Sequence, residues 1–249
     1  MPTPLVIAHR GGTPGMPENS LAAFRRAVSA GVDMLECDVR RAADGALVLL
    51  HEGRVVRDGR VVPVAALSLS DLRAAVPSLV AFPDFLAEFV PLLPINVDLK
   101  EVGWEAELVA ELRRHDAVDR VLVSSKRAPS LRRLGGFEPR LALGLSRGHL
   151  ASGAPTERGR AMAGMWLRAT LPPLAVPSLR LARARALMLQ HRAVGPLIVA
   201  LLHRLGYRVF SWTVNSGVGA ERMARAGVDG IASDDPACIM AELTAAGLR

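Results

Sequence analysis

The chain has 249 residues and a formal net charge of +7, with half of its residues hydrophobic and 22% charged. That balance supplies a buried core and excludes disordered and fibrous classes, and the length suits one barrel-sized domain spanning residues 1–249. The excess charge is arginine, because Lys100 and Lys126 are the only lysines; with the arginines dispersed and aromatic residues at 4%, no nucleic-acid partner is expected.

Cys37 and Cys238 give neither a disulfide framework nor a zinc-binding spacing. The opening residues run straight into an apolar strand pattern with no charged leader, and the longest apolar run, 194–202, falls short of the ~20 residues that span a bilayer. A cytoplasmic location is therefore the expectation.

Strand patterns lie at Leu5–His9, Met34–Val39, Ile95–Leu99, Val121–Ser124, Leu141–Leu145, Leu187–Gln190, Arg208–Thr213 and Gly230–Ser233. Helical patterns fill the gaps at Ser20–Ala30, a broken stretch from Ser70 to Phe89, Trp104–His115, Pro129–Leu134, Glu157–Leu171, Pro196–Leu205, Ala220–Ala226 and Pro236–Ala245. This alternation predicts an α/β fold, a single (β/α)8 TIM barrel. One extra run, Ala46–Leu50, follows the second strand after Asp44-Gly45, a two-residue hairpin signal, and predicts an antiparallel hairpin extension after strand two.

With Asp44-Gly45 as the loop, Ala43 faces Ala46 and Asp38 faces His51. Glu36, Asp38 and His51 then share one face, while Leu35, Cys37, Val39, Val48 and Leu50 pack on the core. Two carboxylates on one face repel unless a cation or strong hydrogen bonds compensate. A hard divalent ion, Mg2+ or Ca2+, would serve, with Asp98 at the end of strand three as a third oxygen ligand; ion pairs with the abundant arginines are the alternative.

His9-Arg10-Gly11-Gly12 ends strand one, and strand ends at the C-terminal face of a barrel line the active site. That places His9 near His51 as a second imidazole for acid/base work, with Arg10 offering a forked donor to phosphate oxygens. The glycines do not form a dinucleotide-binding loop, since Pro14 and Pro17 interrupt the turn. Lys100, Ser124, Ser125, Trp212, Asn215, Ser233 and Asp234 also fall at strand ends; Ser-Ser and Asp-Asp-Pro read equally well as helix caps, and Trp212 as core.

Together, His9-Arg10-Gly11, Pro17-Glu18-Asn19, Glu36-Cys37-Asp38-Val39, Asp44-Gly45, His51, Val97-Asp98-Leu99-Lys100, Trp212-Thr213-Val214-Asn215 and Gly227-Val228-Asp229-Gly230-Ile231 resemble the glycerophosphodiester phosphodiesterases over nearly the whole chain. The resemblance implies a TIM barrel that uses a divalent ion to split glycerophosphodiesters into an alcohol and glycerol 3-phosphate. It implies His9 and His51 as the acid/base pair, and Glu36, Asp38 and Asp98 as metal ligands. Arg10 and Lys100 would hold the phosphate, Trp212 would stand on the glycerol side, and Glu18 and Asn19 would shape the metal site. The nucleophile that the resemblance implies is water or the neighbouring glycerol hydroxyl.

The chain departs from the family pattern at His51-Glu52, where the family has His-Asp, and at Asp98, where it has Glu. It also lacks the threonine-rich stretch after the second histidine, and its compact, valine-rich insert between His51 and Ser70 predicts a more open mouth. Two rival readings follow. A lysophospholipase D-type enzyme would use the same site on lysophospholipids, with peripheral membrane contact through Met162, Met165, Trp166 and Ala169, a helical face flanked by Arg158, Arg160, Arg168 and the arginines of 180–185. The ordinary alternative, adopted here, packs that face on the barrel. A non-catalytic, anion-binding barrel is the other rival, and it leaves His9 and His51 unexplained.

Overall fold

Alternation of branched apolar runs with amphipathic segments produces a closed parallel sheet ringed by helices. The computed structural model describes residues 3–148 and 155–249. In chain order the strands are β1 (Leu5–Ala8), β2 (Met34–Arg41), β3 (Leu47–Leu49), β4 (Arg54–Arg57), β5 (Arg60–Pro63), β6 (Val80–Ala81), β7 (Ile95–Leu99), β8 (Val121–Ser125), β9 (Ala142–Arg147), β10 (Ala186–Gln190), β11 (Arg208–Trp212) and β12 (Gly230–Ser233). The helices are α1 (Leu21–Ser29), α2 (Leu69–Ala75), α3 (Phe82–Phe89), α4 (Glu105–Arg114), α5 (Ala128–Phe137), α6 (Glu157–Ala182), α7 (Pro196–Arg204), α8 (Gly217–Ala226) and α9 (Pro236–Ala245).

Strands β1, β2, β7, β8, β9, β10, β11 and β12 pair in that order, all parallel, and β12 returns to β1, which closes the TIM barrel. Because side chains alternate across a strand, one face of each strand packs outward on the helices and the other lines the interior. Leu35, Cys37 and Val39 of β2 and Ile95, Val97 and Leu99 of β7 join the outer core. Inside, Ile7, Met34, Leu122, Met188 and Phe210 form an apolar floor. Two residues further along the same strand faces come Glu36, Ser124 and Trp212, which line the mouth. Polarity thus rises along each strand toward its C-terminal end, where barrel sites form.

The hairpin forms, with a different register from the expected one. Val39 pairs with Leu49, Arg40 with Val48 and Arg41 with Leu47, so Asp38 stands opposite Leu50 and not His51. The loop has three residues, closed by Ala42 N–H to Ala46 O at 2.8 Å, and Gly45 takes the left-handed conformation at φ 89°. A two-residue loop of the expected kind would need positive φ at Asp44 as well. Asp44 is instead tied down, because its carboxylate accepts from Leu69 N–H at 2.9 Å and Ala46 N–H at 3.3 Å. The single-residue shift moves Leu47 and Leu49 into the outer core, whereas Val48 and Leu50 fall in a smaller cluster with Val55, Val64, Leu67 and Leu72. The two-residue loop occurs at Asp58-Gly59, with φ of 50° and 72°, between β4 and β5.

Helix α6 also differs from expectation. It does not stop at Leu171 but runs through Pro172, Pro173 and Pro177 to Ala182, because Leu171, Ala175, Leu179 and Ala182 on one side are buried against the barrel. Packing overrides the loss of donors at the prolines. The Met162, Met165 and Trp166 face, expected to pack on the barrel, is exposed. No described helix is long and apolar enough to cross a membrane.

Helices α1 and α3 lock together through Phe24, Phe85 and Phe89, all fully buried, with ring centroids 4.5, 5.6 and 5.1 Å apart. Tilted aromatic pairs at such distances add to simple burial. Phe24→Ala is expected to destabilise the protein by about 3–5 kcal/mol, read as a lower urea midpoint at unchanged slope. A loss below about 1 kcal/mol would remove this cluster from the account of the fold.

Candidate active site

The mouth collects side chains from five places in the chain. His9 and Arg10 lie in the helical turn directly after β1, Glu36 and Asp38 on β2, His51 just after β3, Asn96, Asp98 and Lys100 on and after β7, and Trp212 at the end of β11. His9, Arg10, Glu36, His51, Asp98, Lys100 and Trp212 line one cavity of about 340 Å3, floored by Asn96, Ser124, Ser146, Met188 and Ser211. The two histidines therefore face the same space. His51 arrives without the strand register expected for it: the chain turns after Leu50, and the Arg40 guanidinium holds the turn. Arg40 Nε donates to the carbonyls of Leu50 and His51 at 3.1 Å each, its Nη2 donates to His51 O at 2.5 Å, and its Nη1 lies 2.5 Å from Glu101.

Adjacent strands set the carboxylates side by side. Glu36 is level with Asn96 and Asp38 with Asp98 in the β2–β7 pairing, and Glu36, Asp38 and Asp98 each bring an oxygen within 4.8 Å of the others. Glu36 and Asp38 are buried. Asp38 is well compensated: Lys100 Nζ lies 2.6 Å from its Oδ1 and 2.5 Å from Asp98, and Arg10 Nε is 3.1 Å from its Oδ2. Asn19 grips it in both directions, Nδ2 donating to Asp38 Oδ2 at 3.0 Å and Oδ1 accepting from Asp38 N–H at 3.1 Å. Burial acts to raise the Asp38 carboxyl, but Lys100 and Arg10 outweigh it and hold it at about 2.

Glu36 is the reverse. It accepts from Arg10 N–H at 2.9 Å, and His9 Nε2 stands 3.9 Å away. Burial and the neighbouring Asp38 push its carboxyl up to about 7. Asn96 Oδ1, also buried in the mouth, accepts no hydrogen bond from any described residue. An under-compensated carboxylate beside two further carboxylates and a bare carbonyl is an all-oxygen donor set, and it fits a hard divalent cation.

The remaining expected residues take supporting places. Glu18 pairs with Arg10 Nη1 at 2.8 Å, so the Arg10 fork rests between Glu18 and Asp38. Arg10 and Asn19 both hold left-handed backbone conformations, at φ 56° and 55°. Such conformations persist only where surrounding contacts fix them, and here Asn19 N–H donates to Arg10 O at 2.8 Å.

Two functional contacts were not read from the sequence. Asp234, expected at a strand end in the mouth or else as a helix cap, accepts from His9 Nδ1 at 2.6 Å and is steadied by Asn215 Nδ2 at 2.7 Å; the cap of α9 is the next residue, Asp235. Arg40 lies two residues beyond Asp38 and shares its strand face, which is the pattern that marks it in the sequence. The surroundings of the histidines differ. Burial would lower His9, but Glu36 and Asp234 outweigh it and raise it. His51 is lowered by burial and by Arg10 and Lys100, against the opposing pull of Asp38 and Glu52.

Residues 9–238 match the Glycerophosphoryl diester phosphodiesterase family. A glycerophosphodiester phosphodiesterase of Caldanaerobacter subterraneus subsp. tengcongensis is 30% identical over 93% of this chain and 94% of its own. A phosphodiesterase of Oleispira antarctica, solved in complex with the product sn-glycerol-3-phosphate, superposes with a TM-score of 0.78 at 22% identity, covering 97% of both chains. A glycerophosphodiester phosphodiesterase from Thermotoga maritima superposes at 0.74 with 20% identity, covering 97% of this chain and 99% of its own. The ordered match, running from the His9 turn to the start of α9 on a closed eight-stranded barrel, places this chain in the glycerophosphoryl diester phosphodiesterase family.

Proposed function

We propose that this chain hydrolyses glycerophosphodiesters to an alcohol and glycerol 3-phosphate, with His9 as general acid and His51 as general base. The carrying observation is that two imidazoles with opposite shifts share one cavity with the Glu36, Asp38 and Asp98 cluster. Environments that push two titratable groups apart divide the acid and base roles between them. Asp234 fixes Nδ1–H of His9, keeps the ring charged and leaves Nε2 toward the cavity to protonate the departing alcohol oxygen. His51, held neutral and anchored through Nδ1 to Glu52 at 3.0 Å, takes the proton of the attacking water at its other nitrogen. The new O–P bond forms as the P–O bond to the alcohol breaks, and each histidine ends in the other's starting state.

Arg10 and Lys100 supply positive charge beside the phosphoryl oxygens, and Trp212 provides an apolar wall for the glycerol carbons. Glu36, Asp38 and Asp98 would hold a divalent cation, Mg2+ or Ca2+, which supplies charge neutralisation at those oxygens. Glu18 and Asn19 fix Arg10 and Asp38 in place for both tasks.

Hydrolysis of glycerophosphocholine and bis(p-nitrophenyl) phosphate should vanish with a chelator and return with Mg2+ or Ca2+. His9→Ala and His51→Ala should each lower kcat by about 10²–10⁴-fold. Full activity in both variants would sink the acid/base pair.

The pH profile follows from the signs. Activity needs His51 neutral, so it is lost as pH falls through a value displaced below 6.5, and it needs His9 charged, so it is lost as pH rises through a value displaced above 6.5. A plateau that brackets neutrality is expected, and Asp234→Asn should move the alkaline limb to lower pH while leaving the acid limb in place. An alkaline limb that stays fixed in that variant contradicts the assignment of His9.

The Arg40 clamp makes a separate claim. Arg40→Met keeps an unbranched apolar stem but removes the guanidinium fork, which should release His51 and lower kcat by about 10²-fold with KM little changed. Lysine should not rescue it, because one ammonium cannot reproduce three carbonyl contacts and the Glu101 pair. An unaltered kcat would show that His51 holds its place without the clamp.

A further inference from the structure

Helix α6 has 26 residues, about 39 Å at 1.5 Å per residue, against 10 residues for α5. Its height on the barrel is fixed at Gly164, which lies so close to the chain after β10 that a Cβ there would stand 2.9 Å from Arg192 O. Arg192 follows the last residue of β10 by two, so Gly164 is level with the mouth and the helix before it stands beyond the mouth. At that level Met162, Met165 and Trp166 are 58%, 66% and 58% exposed. Two more helices start at the same end, α7 after β10 and α8 after β11, and their second residues, Leu197 and Val218, are 85% and 82% exposed. Large apolar side chains thus stand in water around one sector of the active-site end.

The charges in this sector are unbalanced. Glu157 is occupied by Arg160 and Arg192, at 3.0 and 2.8 Å, and Glu221 by Arg225 at 3.3 Å. Arg168 and Arg222 have no carboxylate partner among the described residues, although they line one cleft of about 500 Å3 with Val194, Pro196 and Val218. The only hydrogen bond of Arg222 to a described residue runs to the carbonyl of His191 at 3.1 Å. Its affinity for a proton is depressed by burial and by Arg168 and Arg192 nearby. Crowded guanidiniums of this kind call for an anion from outside.

The occupant must therefore be anionic and apolar together, over a surface wider than one small molecule. A second copy of the chain fits badly, because a twofold contact would set this patch against itself and face its unpaired arginines with their own counterparts. An anionic bilayer fits both properties: phosphates for Arg168 and Arg222, and the boundary between headgroups and acyl chains for Leu197, Val218, Met165 and the indole of Trp166. We propose that this rim docks the protein on anionic phospholipid membranes with the barrel mouth turned toward the lipid. The proposal concerns attachment, and it stands or falls apart from the assignment of the catalytic histidines.

Vesicle sedimentation tests it, comparing phosphatidylcholine vesicles with vesicles that also contain phosphatidylglycerol. Binding is expected only to the latter, weakening as salt rises, with Trp166 emission shifting to the blue. Arg168→Gln and Arg222→Gln should each weaken binding about fivefold, and Trp166→Ser with Leu197→Ser should weaken it further, all four sites being solvent-facing substitutions checked by unchanged circular dichroism. The His9→Ala, His51→Ala double variant should bind like the parent, which separates this result from the catalytic one. No sedimentation with phosphatidylglycerol vesicles overturns the proposal, as does binding that survives all four substitutions. Dimers in vesicle-free light scattering that these substitutions dissolve would assign the patch to a second copy instead.

Discussion

Two carboxylates buried side by side on one strand face set the terms for the whole mouth. Glu36 and Asp38 are two residues apart on β2, and the reverse face of that strand carries Leu35, Cys37 and Val39 in the outer core. The strand cannot rotate to relieve their repulsion without turning its apolar face out of the core, so compensation must be brought to the acids. The fold delivers it from three neighbours: Arg10 from β1, Asn19 from the loop before α1, and Lys100 from β7. These contacts are unequally shared. Asp38 takes nearly all of them and stays strongly ionised, whereas Glu36 is left with one backbone N–H and a distant imidazole. The unsatisfied member of the pair is the point in the mouth where added positive charge fits best.

The same imbalance separates the histidines. His9 stands beside the under-compensated Glu36 and is held by Asp234, so negative charge surrounds it. His51 approaches from the Asp38 side, where Arg10 and Lys100 have already imposed positive charge. Their neighbours therefore shift two chemically identical rings in opposite directions, His9 upward and His51 downward.

Much of this could be read in the sequence where local pattern and tertiary position agree. All eight barrel strands were placed, because their apolar runs are short and bounded by turn residues. The acidic pair on β2 was placed on one face, because period two is a property of any strand. The failures came where one side chain decides between local alternatives. Asp44-Gly45 and Asp58-Gly59 are the same dipeptide, yet only Asp58 is free to adopt positive φ; Asp44 is bound to the start of α2, 25 residues away, and no local rule sees that bond. Asp234 and Asp235 are likewise interchangeable in a cap motif, and only His9, 225 residues distant, separates them. The prolines of α6 signalled an end that packing against the barrel overruled.

The departures from the family pattern become intelligible in this frame. Asp98 is shorter than the glutamate it replaces, but it is level with Asp38 across the β2–β7 pairing, and Lys100 bridges the two carboxylates, so the shorter side chain still reaches the cluster. In the compact insert after His51, Val55 and Val64 pack with Leu67 and Leu72 in a small core and Val62 lies against it, whereas Val56 and Val61 stand exposed. His51 lines the cavity, and no described residue of the insert is among those that line it. A side chain carried on such a segment needs an anchor that does not depend on the strand register. The Arg40 fork, two residues past Asp38 on the same face, ties His51 directly to the strand that bears the acids. The position of His51 relative to the carboxylates therefore rests on one side chain and not on the β2–β3 pairing.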